Sequence, residues 1–294
     1  MTIATQDPAG ARERLASLRH RVAAIEDRPR PMLAADGDLS PATASRSTAA
    51  GRHAGLLLPF GIDAVDQVLK GGLAGGALHE IHAAETRHSG LATGFLAALL
   101  ARLTHQKNGL VIWAHDRPGP PEAGHLYGPG IARFGFDPAH LLMIAGQRAD
   151  DVLWAMEEGL SCRGVAAVVG DLSGQPRALD LTAARRLALR AQAGGGFAML
   201  LRRGDAIIPT AAQTRWQVQP HEAGIMDDFE TGIGRPAWRL ELQKNRAGPT
   251  GQWIVEWNHD TCRFALAAAH SFPVATPADD RPHRPAHVGT VMAV

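Results

Sequence analysis

The stretch GGLAGGALHEIHAAETRHSGLATGFLAALLARL, from Gly71 to Leu103, decides the fold of this chain. It begins with a glycine-rich turn and continues with a short apolar strand, a loop, and a helix that is apolar on nearly every side. A phosphate-binding loop is a glycine-containing loop between a strand and a helix, which is the order found here. This loop carries neither a lysine nor a hydroxyl at the expected place, so the sequence leaves open whether a nucleotide is bound.

Beyond this stretch, apolar strands alternate with helices across short connections. The predicted strands are GLVIWAHD, HLLMIAG, VAAVVGDL and GFAMLLRR, and the helices between them include ADDVLWAMEEGLSCRG and LDLTAARRLALRAQAGG. This alternation predicts an α/β fold with a doubly wound, mostly parallel sheet flanked by helices. Asp63 is expected to cap the first short helix and Gly71 to end it, and Gly194 is expected to close the last helix.

After residue 204 the pattern changes to alternating strands. They read QTRWQVQP, PAWRLELQKNR and QWIVEWN, and AGPTG joins the last two. Alternation with a short glycine-containing turn predicts an antiparallel hairpin, which commonly forms the edge of a parallel sheet.

The sequence predicts a core with two appendages. Residues 1–52 contain an amphipathic helix, with apolar side chains on one face, and a flexible linker rich in Pro, Ala, Ser and Thr. The apolar face consists of Leu15, Leu18, Val22 and Ile25. This face either folds back on the core or docks on another chain. Residues 53–269 form the core domain, and residues 270–294 are expected to be disordered.

The composition is that of an ordinary globular protein. The chain has 294 residues, 45% of them hydrophobic and 20% charged, and a formal net charge of +1, so no global field attracts nucleic acid. Cys162 and Cys262 are far apart in the sequence and form no C-x-x-C motif, so they suggest neither a disulfide framework nor a zinc site. We find no apolar run of membrane-spanning length and no signal-peptide pattern, and we expect a cytoplasmic protein.

Two stretches carry a resemblance to RecA-like recombination and repair ATPases. They are LELQKNRAGPTGQWIVEW, with its Lys-Asn-Arg-x-Gly hairpin, and LPFGIDAVDQVLKGGLAGGALHEI, which leads into the loop. Together with ATGFLAALLARL, LYGPGIARFGFDPAHLLMIAG and TRW, in this order, they resemble the ImuA family of bacterial damage-induced mutagenesis. The resemblance covers about residues 55–266.

This resemblance implies a RecA-like core that serves as a non-catalytic adapter. The implied role is error-prone translesion DNA synthesis in the SOS response to DNA damage. The implied partners are ImuB, which is an inactive relative of Y-family polymerases, an error-prone replicative-type DNA polymerase, and RecA. DNA contact would be indirect, self-association is possible, and the protein would be nucleoid-associated when engaged. No cofactor is expected.

The residues of the loop argue against ATPase activity. With Gly90 as the second glycine of G-x-x-x-x-G-K-[S/T], Glu85 stands at the first glycine, Leu91 at the lysine and Ala92 at the hydroxyl. Thr93 comes one residue too late for a metal. The amide cradle, the cation and the metal-holding hydroxyl are therefore all weakened or missing, and nucleotide binding and hydrolysis both need them.

The other positions of a RecA-like nucleotide site are also altered. A metal-orienting aspartate is expected at Gly170, but Asp171 follows one residue later, and such a shift turns a strand side chain to the other face. His115 and Asp116 stand where a RecA-like ATPase carries its water-activating glutamate. His79, His82 and His88 gather near the loop, but His79 and His82 should point to opposite faces, so no metal site is expected.

The hairpin supplies the remaining candidates. In RecA-like filaments, cations such as Lys244 and Arg246 reach the phosphates of the neighbouring subunit. Here Lys244, Asn245 and Arg246 are candidates for binding an acidic partner, or else are solvated strand residues. The segment Gly204–Gln213 stands where a RecA-like protein has a DNA-contacting loop, but it carries no positive charge.

Hairpin tryptophans could in principle stack on bases. Trp238, Trp253 and Trp257 are expected to pack in the core, and base stacking would require exposed rings. Two functions therefore stay open beside the adapter, an active DNA-dependent ATPase and a module that binds single-stranded DNA.

Overall fold

The computed structural model describes residues 56–83, 85–116, 126–204, 209–223 and 234–267. Its strands are β1 (Leu57–Leu58), β2 (Leu73–Ala74), β3 (Leu78–Ala83), β4 (Leu110–His115), β5 (Leu141–Ala145), β6 (Val165–Ser173), β7 (Phe197–Arg203), β8 (Thr214–Pro220), β9 (Ala237–Asn245), β10 (Gly251–Asn258) and β11 (Arg263–Leu266). Its helices are α1 (Asp63–Val68), α2 (Ser89–Gln106), α3 (Gly128–Arg133), α4 (Ala149–Ser161) and α5 (Leu181–Gly194). The helix and linker predicted in 1–52, and the tail predicted in 270–294, lie outside the described residues. None of the described helices is both long enough and apolar enough to cross a membrane.

Nine strands form one sheet in the order β11-β10-β9-β8-β3-β7-β6-β4-β5. The strands from β8 to β5 run parallel to one another. The pairs β8–β9, β9–β10 and β10–β11 are antiparallel. The α/β class, the mostly parallel sheet and the terminal hairpin are therefore confirmed, and β11 extends the hairpin into a three-stranded meander that the sequence did not indicate.

The sheet has two covered faces, because successive strand side chains point to opposite sides. The face that carries α2, called the α2 face here, holds a core that includes Ile81, Trp113, Val169, Met199 and Leu201. The opposite face, called the α4/α5 face, holds a second core that includes Ile112, Val168, Leu172, Ala198 and Leu200. All parallel strands end at one edge, so residues at the carboxyl ends of β3, β4, β6 and β7 are brought together there.

Two helix ends differ by one residue from the prediction. Asp63 is the first residue of α1 rather than its cap, and Asp66 stabilises the start by accepting hydrogen bonds from the amides of Phe60 (2.7 Å) and Gly61 (2.8 Å). Helix α5 continues through Gly194, and Gly195 ends it with φ of 71°, in the left-handed region that favours glycine. At the start of α1 the bonds go to a side chain three residues further on, and at the end of α5 the next residue adopts the conformation that the helix end requires.

Candidate functional site

The loop that follows β3 is short and turns directly into α2. A single 3-10 turn, Thr86–His88, connects the strand to the helix. Gly90 lies in open space, because a Cβ added there would meet no atom within 4 Å. The Glu85 carboxylate is half-exposed and pairs with Nε of Arg87 at 2.6 Å. An exposed pair of this kind contributes little stability, and Glu85 supplies no donor for a phosphate.

The next two positions face the protein core. Ala92 is fully buried and Leu91 packs against the α2-face core. The indole Nε1 of Trp238 in β9 donates a hydrogen bond to the Leu91 carbonyl at 3.1 Å. Leu91 and Ala92, at the lysine and hydroxyl positions, therefore pack in the core.

A cavity of about 220 Å³ opens beside the start of α2. Most of its described lining is apolar or glycine. The lining comprises Gly90, Thr93, Gly94, Ala97, Leu126, Tyr127, Gly130, Ile131, Phe134 and Arg203. Arg203, the last residue of β7, is the charged side chain in this set.

Arg203 belongs to a charged cluster at the carboxyl ends of β4, β6 and β7. Its Nη2 contacts Oδ2 of Asp171 at 2.5 Å, and the indole Nε1 of Trp113 donates to the same oxygen at 3.4 Å. Both charged side chains are largely buried, with 14% of Arg203 and 7% of Asp171 exposed. Burial raises the pKa of Asp171, the charge of Arg203 and the bond from Trp113 oppose this rise, and the nearby charge of Asp116 adds to it.

The prediction that Asp171 is turned away from the loop helix is wrong. Asp171 follows Val169 at a spacing of two and contacts Trp113, so it lies on the α2 face. Gly170 is the residue that faces the other side, where an added Cβ would overlap the sulfur of Met156 in α4. The face of a strand residue depends on the strand's alignment with its neighbours, which a motif comparison within one strand does not fix.

Asp116 is also engaged by protein donors. Its two carboxylate oxygens accept hydrogen bonds from the amide of Ser173 (3.1 Å) and the hydroxyl of Ser173 (3.3 Å). The ring of His115 contacts the carbonyl of Asp116 through Nδ1 at 2.9 Å. These bonds hold the end of β4 to the end of β6.

These residues do not fit a metal-bound nucleotide. The Asp171 carboxylate is paired with a guanidinium, Leu91 and Ala92 pack against the core, and the loop carries the exposed carboxylate of Glu85. Among the described residues, no group of three or more His, Cys, Asp and Glu side chains is placed to hold a metal ion.

A second charged cluster lies on the α4/α5 face, and the sequence analysis did not identify it. Glu80 in β3 is fully buried, and its Oε2 accepts a hydrogen bond from Nε of Arg215 in β8 at 2.7 Å. His82 Nε2 is 3.8 Å from the same oxygen, and the buried guanidinium of Arg202 lies on the same face. Burial tends to raise the pKa of Glu80, but the nearby His82 ring and the bond and charge of Arg215 outweigh it and hold the pKa below its ordinary value. The signal in the sequence is the pair of polar residues, Glu80 and His82, spaced by two in an otherwise buried strand.

The three histidines near the loop do not converge, as predicted for His79 and His82. His79 lies on the α2 face, with Nδ1 2.8 Å from the Thr214 hydroxyl and Nε2 2.9 Å from the Ala74 carbonyl. His82 lies with Glu80 on the opposite face, and His88 is near Glu85 in the loop.

The three hairpin candidates differ in their surroundings. Lys244 is half-buried, and its Nζ donates to the Thr210 carbonyl at 2.8 Å. The Asn245 amide donates to the Val68 carbonyl at 3.1 Å and so ties the hairpin to α1. Arg246 is exposed. The structure therefore leaves Arg246 as the side chain of the three that a partner could reach most readily.

The hairpin tryptophans pack in the core, as expected for Trp238 and Trp257. Both are at most 1% exposed, and Trp253 is partly buried against Trp216, with ring centroids 6.0 Å apart. Part of the segment Gly204–Gln213, residues 205–208, lies outside the described residues. The three hairpin tryptophans thus offer no exposed ring for base stacking.

Comparison with known proteins identifies the family. No protein-family model matches the chain. The chain is 33% identical over 213 residues to Protein ImuA of Caulobacter vibrioides strain NA1000 / CB15N, which covers 68% of this chain and 83% of that protein. Protein ImuA of strain ATCC 19089 / CIP 103742 / CB 15 gives the same identity and coverage. At this identity and coverage, the chain belongs to the ImuA family.

Proposed function

We propose that this protein is a non-catalytic, RecA-like adapter that supports error-prone translesion DNA synthesis in the SOS response. Membership of the ImuA family supports the setting of damage-induced mutagenesis. The sheet order and the terminal hairpin are consistent with a RecA-like core. The observation that carries the non-catalytic part is the Arg203 guanidinium on the Asp171 carboxylate, beside a loop whose key side chains face the core.

The competing function is an active, DNA-dependent RecA-like ATPase. A titration of the full chain with a fluorescent ATP analogue, with Mg²⁺ or with a chelator, separates the two. We expect no saturable, Mg²⁺-dependent binding, because the contacts that hold a triphosphate and its metal are missing. Micromolar, Mg²⁺-dependent binding would refute the proposal.

The adapter acts by docking polymerase-type partners. We propose ImuB and an error-prone replicative-type DNA polymerase as its partners, with RecA as a further contact. A fold that normally self-assembles keeps its subunit-contact surfaces after losing ATP, so self-association is also proposed. The protein would be cytoplasmic and would join the nucleoid when engaged.

Two surfaces are proposed for this docking. One is the N-terminal segment with Leu15, Leu18, Val22 and Ile25, which lies outside the described residues. The other is the hairpin turn, where Arg246 is exposed. A truncation lacking residues 1–30 and the variant Arg246→Glu should each capture less ImuB in a pull-down, whereas Arg177→Glu, at an exposed arginine elsewhere, should not. Unchanged capture by the truncation and by Arg246→Glu would refute this placement of the surfaces.

Direct binding of single-stranded DNA is the third candidate. The formal net charge of +1 and the packing of the hairpin tryptophans in the core argue that DNA contact is indirect. Fluorescence anisotropy with a labelled single strand at several salt concentrations tests this. A steep salt dependence, reporting several phosphate contacts, would favour the DNA-binding module instead.

A further inference from the structure

Arg203 occupies a central place at the carboxyl edge of the sheet. Strand β7 lies between β3, which leads into the loop, and β6, which carries Asp171. Within the ladder, Arg203 is paired with Ala83 on one side and with Ser173 on the other. Its side chain therefore stands between the start of the loop and the carboxylate that would orient a metal.

Arg203 contacts the carboxylate of Asp171 and also lines the cavity beside α2. Nη2 of the guanidinium is 2.5 Å from Oδ2 of Asp171, the oxygen that also accepts the bond from Trp113. The same side chain lines the cavity together with Gly90 and Thr93. One positive side chain thus links the carboxylate to the space beside the first turn of α2.

We propose that Arg203 is an internal cation that takes the place of a metal ion on Asp171 and so closes this pocket to a metal-bound nucleotide. A buried carboxylate needs a counter-charge, and a guanidinium paired with it supplies one without any ligand. A divalent ion could reach this oxygen only by displacing Arg203, which would leave a largely buried guanidinium unpaired. This inference rests on the proposed non-catalytic function. It adds that Arg203 in β7, as well as the loop, prevents the binding of a metal-bound nucleotide.

Mn²⁺ titration of full-length variants tests this role. Mn²⁺ suits carboxylate ligands, and the loss of its free-ion electron paramagnetic resonance signal measures binding. Arg203→Gln removes the cation and frees Asp171 beside Asp116. Arg186→Gln is the matched control, because it frees the carboxylate of Glu157, which accepts from Arg186 Nε at 3.0 Å on the surface.

We expect Arg203→Gln to bind Mn²⁺ about tenfold more tightly than the wild-type chain, because two carboxylates can then share one ion. Arg186→Gln should behave as the wild type, and adding Asp171→Asn to Arg203→Gln should remove the gain. Unchanged Mn²⁺ binding in Arg203→Gln would overturn the proposal, as would a gain that survives Asp171→Asn.

Thermal unfolding provides a second measurement should Arg203→Gln fold poorly. We expect Arg203→Gln to melt earlier than the wild type and the double variant with Asp171→Asn to recover much of the loss, because a neutral amide needs no counter-charge. A double variant no more stable than Arg203→Gln would also overturn the proposal. Nucleotide binding by the wild-type chain would refute the adapter function itself, whereas an unchanged Mn²⁺ affinity in Arg203→Gln would overturn only the role of Arg203.

Discussion

His79 should make the stability of this protein fall between pH 6.5 and pH 4. Its ring is buried in a hydrogen-bonded chain: Trp216 Nε1 donates to the Thr214 hydroxyl (3.1 Å), which lies 2.8 Å from His79 Nδ1, and Nε2 lies 2.9 Å from the Ala74 carbonyl. The neutral ring with its proton on Nε2 satisfies every member of this chain, since Nε2 donates to the carbonyl and Nδ1 accepts from the hydroxyl. A protonated ring would force Nδ1 to donate and would leave the hydroxyl proton of Thr214 without its acceptor.

The size of the effect follows from the pKa of His79. Burial lowers this pKa from 6.5 to about 4, and the bond to the Ala74 carbonyl opposes the shift. A group with a depressed folded pKa stabilises the fold fully above its unfolded pKa and loses that contribution as the pH falls towards its folded pKa. At about 1.4 kcal/mol per pKa unit, protonation of His79 should remove about 3 kcal/mol of stability by pH 4.

Urea unfolding at pH 7.5, 6.5, 5.5 and 4.5, followed by tryptophan fluorescence, measures this loss. His79→Gln should be less stable than the wild type at pH 7.5 by about 1–2 kcal/mol, because it loses ring packing and part of the hydrogen-bonded chain. Its stability should then fall less steeply with acid than that of the wild type. His105→Gln, at an exposed position of α2, is the control and should follow the wild-type curve. Parallel curves for His79→Gln and the wild type between pH 6.5 and 4.5 would refute the reasoning.

Three further predictions concern a buried ion pair, the packing of α4 and the hairpin turn, and each is measured by urea unfolding at pH 7.5. Glu80→Gln should cost about 1–3 kcal/mol, because it weakens the buried, charge-assisted hydrogen bond that Glu80 accepts from Arg215; a loss below 0.5 kcal/mol would contradict this. Gly170→Ala should cost about 1–3 kcal/mol, because the added methyl overlaps the sulfur of Met156; an unchanged midpoint would contradict the close packing of α4 on β6. Asn245→Ala should cost about 1–3 kcal/mol through its lost bonds, and the exposed Arg246→Ala less than 0.5 kcal/mol; the reverse order would show that Arg246, not Asn245, holds the turn.

The sequence predicts the fold well where the signal is local. Strands such as β6 and β7 are continuous apolar runs, and α2 is apolar nearly all round, so each is recognisable within its own residues. Helix ends are less certain, because the side chain that accepts hydrogen bonds at the start of α1 is that of Asp66 rather than that of Asp63. The strand β11 is only four residues long and pairs through its position beside β10, so its own residues give little indication of it.

The candidate site could be predicted only in part, for a physical reason. The absence of a lysine and a hydroxyl is visible in the loop itself, because those residues act through positions close in sequence. The pairing of Arg203 with Asp171 joins residues on different strands, and the pairing of Glu80 with Arg215 does so as well. Such pairs depend on strand order and alignment in the sheet. The face of Asp171 was predicted wrongly for the same reason.

The packing of α2 shows what the strand-loop-helix unit contributes to the fold. Helix α2 carries much of the α2-face core, and the bond from Trp238 to the Leu91 carbonyl ties its first turn to the antiparallel strands. Removing this strand-loop-helix unit would therefore disrupt the α2-face core. Leu91 and Ala92, at the lysine and hydroxyl positions of the motif, add apolar side chains to that core. Under our proposal, Arg203 neutralises the carboxylate left behind, so the fold needs no nucleotide to balance Asp171. The demands of packing therefore account for the strand-loop-helix unit under this proposal, without any bound nucleotide.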